Sequence, residues 1–319
     1  MQLWDISDVG VVGAGTMGPG IAQVFAQSGY TVRWYNRSGT GLERGLERIR
    51  DNQSLLIRKG VLEAGQAQAA LTRLHPTVVL ADLAGVQLVS ESIAENLPAK
   101  QALFRALDEL CGDATIFTTN TSGLSISRMA EKMSRPQCFA GLHCANPAHI
   151  IPAVEIIKGK DTSDATCELL MALAYRLGKQ PVLVQREVPG FIGNRLQFAL
   201  LREALHLIET GVASVADVDA SIRHGLGLRW ALLGPLQIAD LGGLDVFDAI
   251  AGYLFKDLSN AVDTPPTLRQ CVAEGRLGVK SGNGFYAYTP EQSKALAAWR
   301  DEALLTLLDM KQRSTPETA

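Results

Sequence analysis

The sequence has few cysteines, and their spacing excludes the usual cysteine-based sites. Cys111, Cys138, Cys144, Cys167 and Cys271 are the five cysteines among 319 residues. Their number is odd, they lie far apart, and none belongs to a Cys-x-x-Cys pair. Such spacing gives neither a disulfide framework nor a thiolate zinc site. We therefore expect reduced thiols and no metal centre.

Charge of one sign and long apolar runs are also scarce. The net charge of −3 at pH 7 argues against a nucleic-acid-binding surface or a polybasic membrane patch. No apolar run approaches the roughly 18 to 20 residues that cross a bilayer. The start of the chain, MQLWDISDVG, lacks the basic start and apolar core of a signal peptide. We therefore expect a cytoplasmic protein without membrane or nucleic-acid partners.

The chain is instead long and apolar enough for two domains, with 47% hydrophobic residues. Strand-like runs alternate with helical patterns up to about Gln185, which is typical of a doubly wound, mainly parallel α/β sheet. Beyond Pro189 the apolar segments are helical, without comparable strand-like runs. The sequence therefore predicts an α/β domain over residues 1–187, with a helical hairpin near residues 42–74, and an all-α domain over residues 188–319.

A glycine-rich turn follows the first apolar run. Val9 to Val12 predicts a buried strand, and GAGTMG then gives the spacing GxGxxG before a helix from about Met17 to Gln27. The glycines permit a tight turn, close approach of the backbone to a pyrophosphate, and close packing of helix on strand. The predicted dinucleotide contacts in this turn are Gly13, Gly15, Thr16, Met17 and Gly18. An ordinary glycine-rich turn is the alternative.

The second predicted strand, Thr31 to Tyr35, ends on an uncharged turn. NAD-preferring folds usually place Asp or Glu there to bind the ribose hydroxyls, whereas this chain has Asn36, Arg37 and Ser38. Asn36 brings no negative charge against a 2′-phosphate, Arg37 can pair with that phosphate, and Ser38 can donate a hydrogen bond. The turn favours NADP(H) over NAD(H); a solvated turn without such contacts is the alternative.

Further elements complete the predicted order. Thr77 to Val79 and Val86 to Ser90 predict two more strands, and Pro98 fits the first turn of a helix that ends near Leu110. Phe191 to Ile208 is apolar almost all round, so we expect this helix either at the centre of a helical domain or buried at a subunit interface.

Short motifs recur in one order along the chain: GAGTMG at Gly13, ESIAENLPAK at Glu91, TNTS at Thr119, GLHCANP at Gly141, PAVEI at Pro152, PGFIGNRL at Pro189, GPLQIADLGGLD at Gly234 and KSGNGFY at Lys280. Together they resemble the 3-hydroxyacyl-CoA dehydrogenase family over nearly the whole chain. Within it, PAHIIP and AAWRDEALLTLL look closer to the lambda-crystallin and gulonate dehydrogenase branch. The resemblance implies a Rossmann domain followed by a helical dimerisation domain, and hence a homodimer.

The resemblance also implies roles for single residues. His143 would be the catalytic acid/base, Glu155 its partner, and Ser122 and Asn194 the groups at the reacting oxygen. Around the dinucleotide it places Glu95, Lys100, Asn146 and Lys280. The chemistry is consistent, because an imidazole can accept an alcohol proton at neutral pH and a carboxylate can orient the ring. A buried core histidine, and a helix N-cap at Ser122, are the structural alternatives.

One departure from the family concerns the substrate pocket. Cys144 and Ala145 follow His143 where aromatic residues are common in the acyl-CoA enzymes, which predicts a pocket of different shape. We predict NAD(P)-dependent interconversion of a secondary alcohol and a ketone, with a 3-hydroxyacyl-CoA as substrate. The same chemistry on a non-CoA hydroxy acid, sugar acid or aromatic alcohol or aldehyde is one alternative. A non-catalytic, dinucleotide-binding structural protein is another.

Overall fold

The structure is a computed structural model that describes residues 2–314. The chain divides into two compact units, residues 1–195 and 196–319. The predicted domain limits at residues 187 and 188 stay predictions, and Met1 and residues 315–319 lie outside the described residues. No helix within the described range is both long and apolar enough to cross a membrane.

The first unit is built on one sheet. Its strands are β1 (Asp8–Val12), β2 (Thr31–Tyr35), β3 (Leu74–Thr77), β4 (Leu88–Glu91), β5 (Ile116–Thr119), β6 (Phe139–Cys144), β7 (Ala153–Ile157) and β8 (Gln180–Val184). They lie in the order β3-β2-β1-β4-β5-β6-β7-β8. Only the pairing of β6 with β7 is antiparallel in this sheet. The predicted class, a doubly wound and mainly parallel α/β fold, is confirmed.

Helices cover both faces of the sheet. They are α1 (Gly18–Gln27), α2 (Gly39–Arg58), α3 (Ala64–Thr72), α4 (Leu97–Leu110), α5 (Ile126–Ala130) and α6 (Asp164–Arg176), and the unit also includes the first turn of α7 (Gly193–Glu209). Alternate strand residues enter two separate apolar clusters: Val9 and Val11 join α1 and α6 residues, whereas Val12 joins α4 and α5 residues. The sheet is therefore buried on both faces, and its strand ends are left to form a site.

The predicted strand at Thr77 to Val79 is wrong by about three residues. The strand is Leu74–Thr77, which pairs with β2 at the edge of the sheet, where Pro76 is tolerated. The two valines that follow, Val78 and Val79, are exposed. The high β-propensity of the two valines led to the wrong bounds, because the strand is defined by its pairing with β2 and not by the propensity of single residues.

The second unit is helical. It holds the rest of α7, α8 (Val215–Ser221), a π-helical turn (Ile222–Leu226), α9 (Gly227–Trp230), α10 (Pro235–Gly242), α11 (Leu244–Leu254), α12 (Pro266–Ala273) and α13 (Pro290–Ser314). Helix α12 was not predicted. Among the described residues of this unit, only Leu205, Cys271 and Leu305 are buried. One of the two settings predicted for α7 was the centre of a helical domain. In the single chain, α7 does not occupy such a core.

Candidate active site

Each glycine of the turn between β1 and α1 answers a separate steric demand. Gly13 has φ +110°, and a Cβ there would lie 2.7 Å from the carbonyl oxygen of Ser92. At Gly18, a Cβ would lie 2.0 Å from the carbonyl oxygen of Gly13. A Cβ on Gly15, by contrast, would meet no atom within 4 Å. The turn therefore presents open backbone on one side, which fits the close approach of a pyrophosphate to helix amides.

Two side chains from neighbouring elements hold this turn, and neither was singled out from the sequence. The indole nitrogen of Trp34, a fully buried residue of β2, donates to the carbonyl oxygen of Gly13 at 2.8 Å. The guanidinium of Arg48 on α2 donates to the carbonyl oxygen of Gly15 at 3.2 Å. Both bonds use carbonyl oxygens and therefore occupy no amide of the turn, whose Gly13 N–H donates to the carbonyl oxygen of Tyr35.

A cavity of 380 Å³ lies beside the turn, at the end of β2. Its lining includes Gly13, Gly15, Asn36 and Arg37. The amide nitrogen of Asn36 donates to the carbonyl oxygen of Ser38 at 2.9 Å, which fixes the turn after β2. Arg37 and Ser38 are exposed. The cavity has the placement expected for the adenosine half of a dinucleotide, with no carboxylate at the end of β2.

Lys100 lies in a buried ion pair behind the loop that follows β4. Its Nζ donates to Glu91 Oε1 at 2.6 Å, and the two side chains are 1% and 0% exposed. The half-exposed Glu95 carboxylate lies 3.4 Å from the same Nζ. The sequence alone does not show that Glu91 is buried. A direct contact of Lys100 or Glu95 with a dinucleotide stays a prediction.

Glu95 connects this loop to Ser122. Its Oε1 accepts a hydrogen bond from the Ser122 backbone N–H at 2.9 Å and another from the Thr121 hydroxyl. The Asn194 side-chain amide, in the first turn of α7, donates to the carbonyl oxygen of Ser122 at 2.9 Å. The structure therefore brings together two residues predicted to lie at the reacting oxygen, although they are 72 positions apart in the sequence.

His143 and Glu155 face each other across the antiparallel pair of β6 and β7. The ring Nδ1 lies 2.8 Å from Glu155 Oε2, and the two side chains are 15% and 13% exposed. A carboxylate can only accept, so Nδ1 donates and Nε2 is left able to accept a proton. The other carboxylate oxygen, Oε1, accepts the backbone N–H groups of Ile192 and Gly193, both at 2.9 Å.

These contacts also set the ionisation of Glu155. Partial burial alone would raise its pKa, but the hydrogen bonds from His143, Gly193 and Ile192 outweigh that effect. The pKa of Glu155 is therefore lowered from its ordinary value of 4.5. An ionised carboxylate at neutral pH orients the imidazole and stabilises the imidazolium that forms when Nε2 accepts a proton.

Two further predicted cofactor residues lie outside this cluster of bonds. Asn146 is exposed in the loop after β6, and that loop is held by Lys179, whose Nζ donates to the carbonyl oxygens of Ala148 and Ile151. Lys280 belongs to the second unit, where it lines a cavity of 520 Å³. The contacts of Asn146 and Lys280 with a dinucleotide stay predictions.

The fold and this site define a class of protein. Strands β1, β4, β5 and β6 run parallel, so the glycine-rich turn, Glu95, Ser122 and His143 all lie at their carboxyl ends. Within residues 2–314, no three His, Cys, Asp or Glu side chains are grouped to hold a metal ion. An anion-binding turn and a carboxylate-held histidine at one sheet edge are the components of a dinucleotide-dependent oxidoreductase.

Comparison with known proteins narrows this class to one family. Residues 8–188 match the model of the 3-hydroxyacyl-CoA dehydrogenase NAD binding domain, and residues 190–288 match that of the family's C-terminal domain. The chain belongs to the 3-hydroxyacyl-CoA dehydrogenase family. The predicted family is thus confirmed, and so is a nicotinamide dinucleotide as its cofactor.

Individual relatives act on different substrates. The chain is 35% identical over 303 residues to a 5-formyl-3-hydroxy-2-methylpyridine 4-carboxylate 5-dehydrogenase of Mesorhizobium japonicum, covering 95% of this chain and 97% of that one. A crystal structure of a 5-dehydrogenase of that pyridine acid, an NAD⁺-dependent dismutase, matches with a TM-score of 0.90 at 35% identity, over 96% and 99% of the two chains. A probable 3-hydroxybutyryl-CoA dehydrogenase of Bacillus subtilis is 36% identical, over 91% of this chain and 100% of that one.

Proposed function

We propose that this chain interconverts the secondary alcohol of a 3-hydroxyacyl-CoA with the corresponding ketone, using a nicotinamide dinucleotide. The observation that carries the proposal is the pairing of His143 with Glu155 at 2.8 Å, at the sheet edge that also holds the glycine-rich turn. A non-catalytic dinucleotide-binding protein, the alternative of another class, needs no oriented acid/base pair.

The chain's own residues divide the work in the direction of alcohol oxidation. His143 Nε2 accepts the hydroxyl proton, and Glu155 stabilises the resulting imidazolium. Ser122 and Asn194 donate hydrogen bonds to the substrate oxygen, whose charge changes during the reaction. When bound, the nicotinamide supplies the hydride acceptor or donor. In the direction of ketone reduction, His143 returns the proton to the oxygen.

The second candidate substrate is a non-CoA hydroxy acid, sugar acid or aromatic alcohol or aldehyde, and two observations favour it. The dismutase structure matches this chain with a TM-score of 0.90, whereas two 3-hydroxybutyryl-CoA dehydrogenase structures match it with TM-scores of 0.75 and 0.74. Cys144 and Ala145 also give the segment after His143 smaller side chains than the aromatic residues expected there. The pyridine carboxylate enzyme itself shows that a relative of nearly equal length acts on a non-CoA compound.

For the cofactor, the proposal is a preference for NADP(H). Its support is the end of β2, where Asn36 brings no charge and Arg37 lies exposed at the cavity beside the glycine-rich turn. A 2′-phosphate is an anion, so it is repelled by the carboxylate usual at this position and attracted by a guanidinium.

We also propose a homodimer, which is formed through the second unit. Leu236, Leu241 and Phe255 of this unit are 80%, 77% and 72% exposed, and helix α7 exposes Phe198 to 60%. Many large apolar side chains exposed on one unit are typical of a protein whose surface is covered by a second copy. Sedimentation equilibrium tests this, because the expected mass is twice the 34.2 kDa of the chain.

One substitution tests the catalytic proposal directly. His143→Gln removes the proton acceptor while keeping a polar side chain of similar size, so we expect turnover to fall by about 10²-fold to 10⁴-fold. Dinucleotide binding is expected to stay unchanged. The matched control is His75→Gln on the exposed edge strand β3.

Acetoacetyl-CoA, acetoacetate and an aromatic aldehyde are offered in parallel with NADPH and NADH, and absorbance follows turnover. Reduction of acetoacetyl-CoA alone supports the acyl-CoA substrate, and reduction of the free acid or the aldehyde supports the second candidate. Full activity of the His143→Gln variant would overturn the assignment of the acid/base.

A further inference from the structure

The turn before α7 contains an unusual backbone conformation. Phe191 has φ +52°, and it is the one non-glycine residue with positive φ in the described chain. A large side chain rarely adopts this left-handed region, because its Cβ approaches the following carbonyl oxygen. Such a conformation persists only where the surrounding structure holds it.

Packing holds Phe191 in place. Its side chain is 1% exposed and lies in the apolar cluster that also contains Val12 of β1 and Val184 of β8. Its N–H donates to the carbonyl oxygen of Val188 at 3.0 Å, which closes the turn. The phenyl ring is therefore an anchor for a short segment whose backbone conformation is otherwise unfavourable.

Phe191 contacts His143 directly, and the two residues that follow it contact Glu155. Its ring lies edge-on to the His143 ring, with centroids 5.8 Å apart and planes at 61°. The two amides that follow it, of Ile192 and Gly193, donate to Glu155 Oε1. One residue thus touches the imidazole with its side chain and directs backbone donors at the carboxylate.

We propose that Phe191 is a positioning residue for the pair of His143 and Glu155. Its left-handed backbone aims two N–H groups at Glu155 Oε1, which fixes the carboxylate so that Oε2 faces His143. Its ring limits rotation of the imidazole, so that Nε2 points toward the substrate. The proposal rests on the proposed function, because it assigns a role to the same site.

The competing interpretation is that Phe191 only fills the core. Phe104 on α4 belongs to the same apolar cluster, is fully buried, and packs on Phe139 instead of the catalytic pair. Phe104→Leu therefore removes a phenyl ring from this core without touching either His143 or Glu155. It serves as the matched control for Phe191→Leu.

A second pair of variants isolates the backbone effect. Phe191→Leu and Phe191→Ile have isomeric side chains, so they lose the ring to the same extent. They differ in branching at Cβ, and a β-branched residue opposes positive φ far more strongly. The difference in kcat between the two variants therefore measures the contribution of the left-handed turn and its two amides. The decrease in kcat that both variants share measures the contribution of the ring.

Two readouts separate positioning from folding. We expect kcat to fall about tenfold in Phe191→Leu and about 100-fold in Phe191→Ile, since small displacements of catalytic groups cost rate. The KM for the dinucleotide is expected to stay within about twofold in both. Phe104→Leu is expected to lower the melting temperature about as much as the Phe191 variants do, while its kcat stays within about twofold of the wild-type value.

The second readout needs no substrate. The hydrogen-bonded Nδ1 proton of His143, identified by its absence in His143→Gln, is followed by ¹⁵N-edited NMR. We expect it to persist in Phe191→Leu and to be lost or shifted in Phe191→Ile. If Phe191→Ile does not fold, Phe191→Ala and Phe191→Gly replace the pair: both lose the ring, but only glycine adopts positive φ without strain, so we expect the proton to persist in Phe191→Gly and to be lost or shifted in Phe191→Ala.

The outcomes distinguish the two proposals. Equal kcat in Phe191→Leu and Phe191→Ile, with the Nδ1 proton unchanged in both, would show that Phe191 only fills the core. An enzyme that turns over none of the tested substrates would overturn the proposed function, and the NMR comparison would still decide the role of Phe191.

Discussion

Glu155→Gln tests the chemistry of the site more sharply than removal of the histidine, because it changes charge without changing length or shape. The carboxylate accepts three hydrogen bonds: one from His143 Nδ1 and two from the backbone amides of Ile192 and Gly193. A glutamine side chain has one accepting oxygen and two N–H donors. The glutamine therefore cannot accept hydrogen bonds from all three donors with its two side-chain positions unchanged.

The geometry indicates how the glutamine settles. The glutamine oxygen accepts the hydrogen bonds of the two backbone amides, since both amides donate to the same carboxylate oxygen at 2.9 Å in the wild type. The glutamine NH₂ group then faces His143 Nδ1. Nδ1 must then accept, which places the ring proton on Nε2 and removes the proton acceptor. Loss of positioned general-base catalysis lowers the rate by about 10²-fold to 10⁴-fold. That corresponds to roughly 2.7 to 5.4 kcal/mol of activation free energy.

The assay compares kcat for alcohol oxidation with dinucleotide affinity. The dissociation constant is expected to stay within about twofold, because Glu155 does not hold the glycine-rich turn. Glu168→Gln, an identical substitution at an exposed position of α6, is the control. A loss of kcat smaller than about tenfold would refute the inference that the carboxylate fixes the tautomer.

The same variant carries a stability signature. The pKa of Glu155 is lowered on folding, so its ionised form stabilises the fold above the unfolded pKa of 4.5, and this contribution is lost as the pH falls through the folded pKa. The wild-type chain should therefore lose more melting temperature than Glu155→Gln between about pH 6 and pH 3. Parallel curves for the two proteins would contradict the contacts assigned to Glu155.

Two further substitutions test the cofactor side of the site. Asn36→Asp places a carboxylate at the end of β2, and the ratio of NADPH to NADH affinity should fall by about 10-fold to 100-fold, the effect of one charged contact; an unchanged ratio in binding titrations would show that this turn does not read the ribose. Lys100→Met leaves the buried Glu91 without its partner, so the free energy of unfolding should fall by about 3 to 5 kcal/mol in denaturant melts. Adding Glu91→Gln should restore much of that loss, and a single variant as stable as wild type would contradict the burial of the pair.

Much of the fold was predictable because its signals are local. The apolar run of β1, the glycine spacing after it and the proline at the start of α4 act over a few residues. Strand β1 and helices α1 and α4 are accordingly present in the structure. The edge strand β3 was misplaced because its register depends on pairing with β2. Helix α12 was missed because its eight residues are fewer than the window of about 11 to 18 residues over which helical periodicity is recognised.

The candidate site likewise has features that local sequence signals predict and features that depend on distant contacts. The choice of His143, Glu155 and Ser122 as candidate site residues follows from the motifs and the resemblance, and the structure adds how they are held. The burial of Glu91 and the left-handed turn at Phe191 depend on packing between elements far apart in the sequence. Only Gly190, which also has positive φ, gave a local hint of that turn.

The contacts around the site form one chain of bonds with a carboxylate near each end. Glu95 accepts the amide of Ser122, the carbonyl of Ser122 accepts Asn194, and the amide of Gly193, next to Asn194, donates to Glu155, which holds His143. Residues in one bonded network are not energetically independent. The proposed acid/base, the two groups proposed to contact the substrate oxygen and the loop after β4 are therefore positioned together, so a substitution at one of them is expected to displace the others.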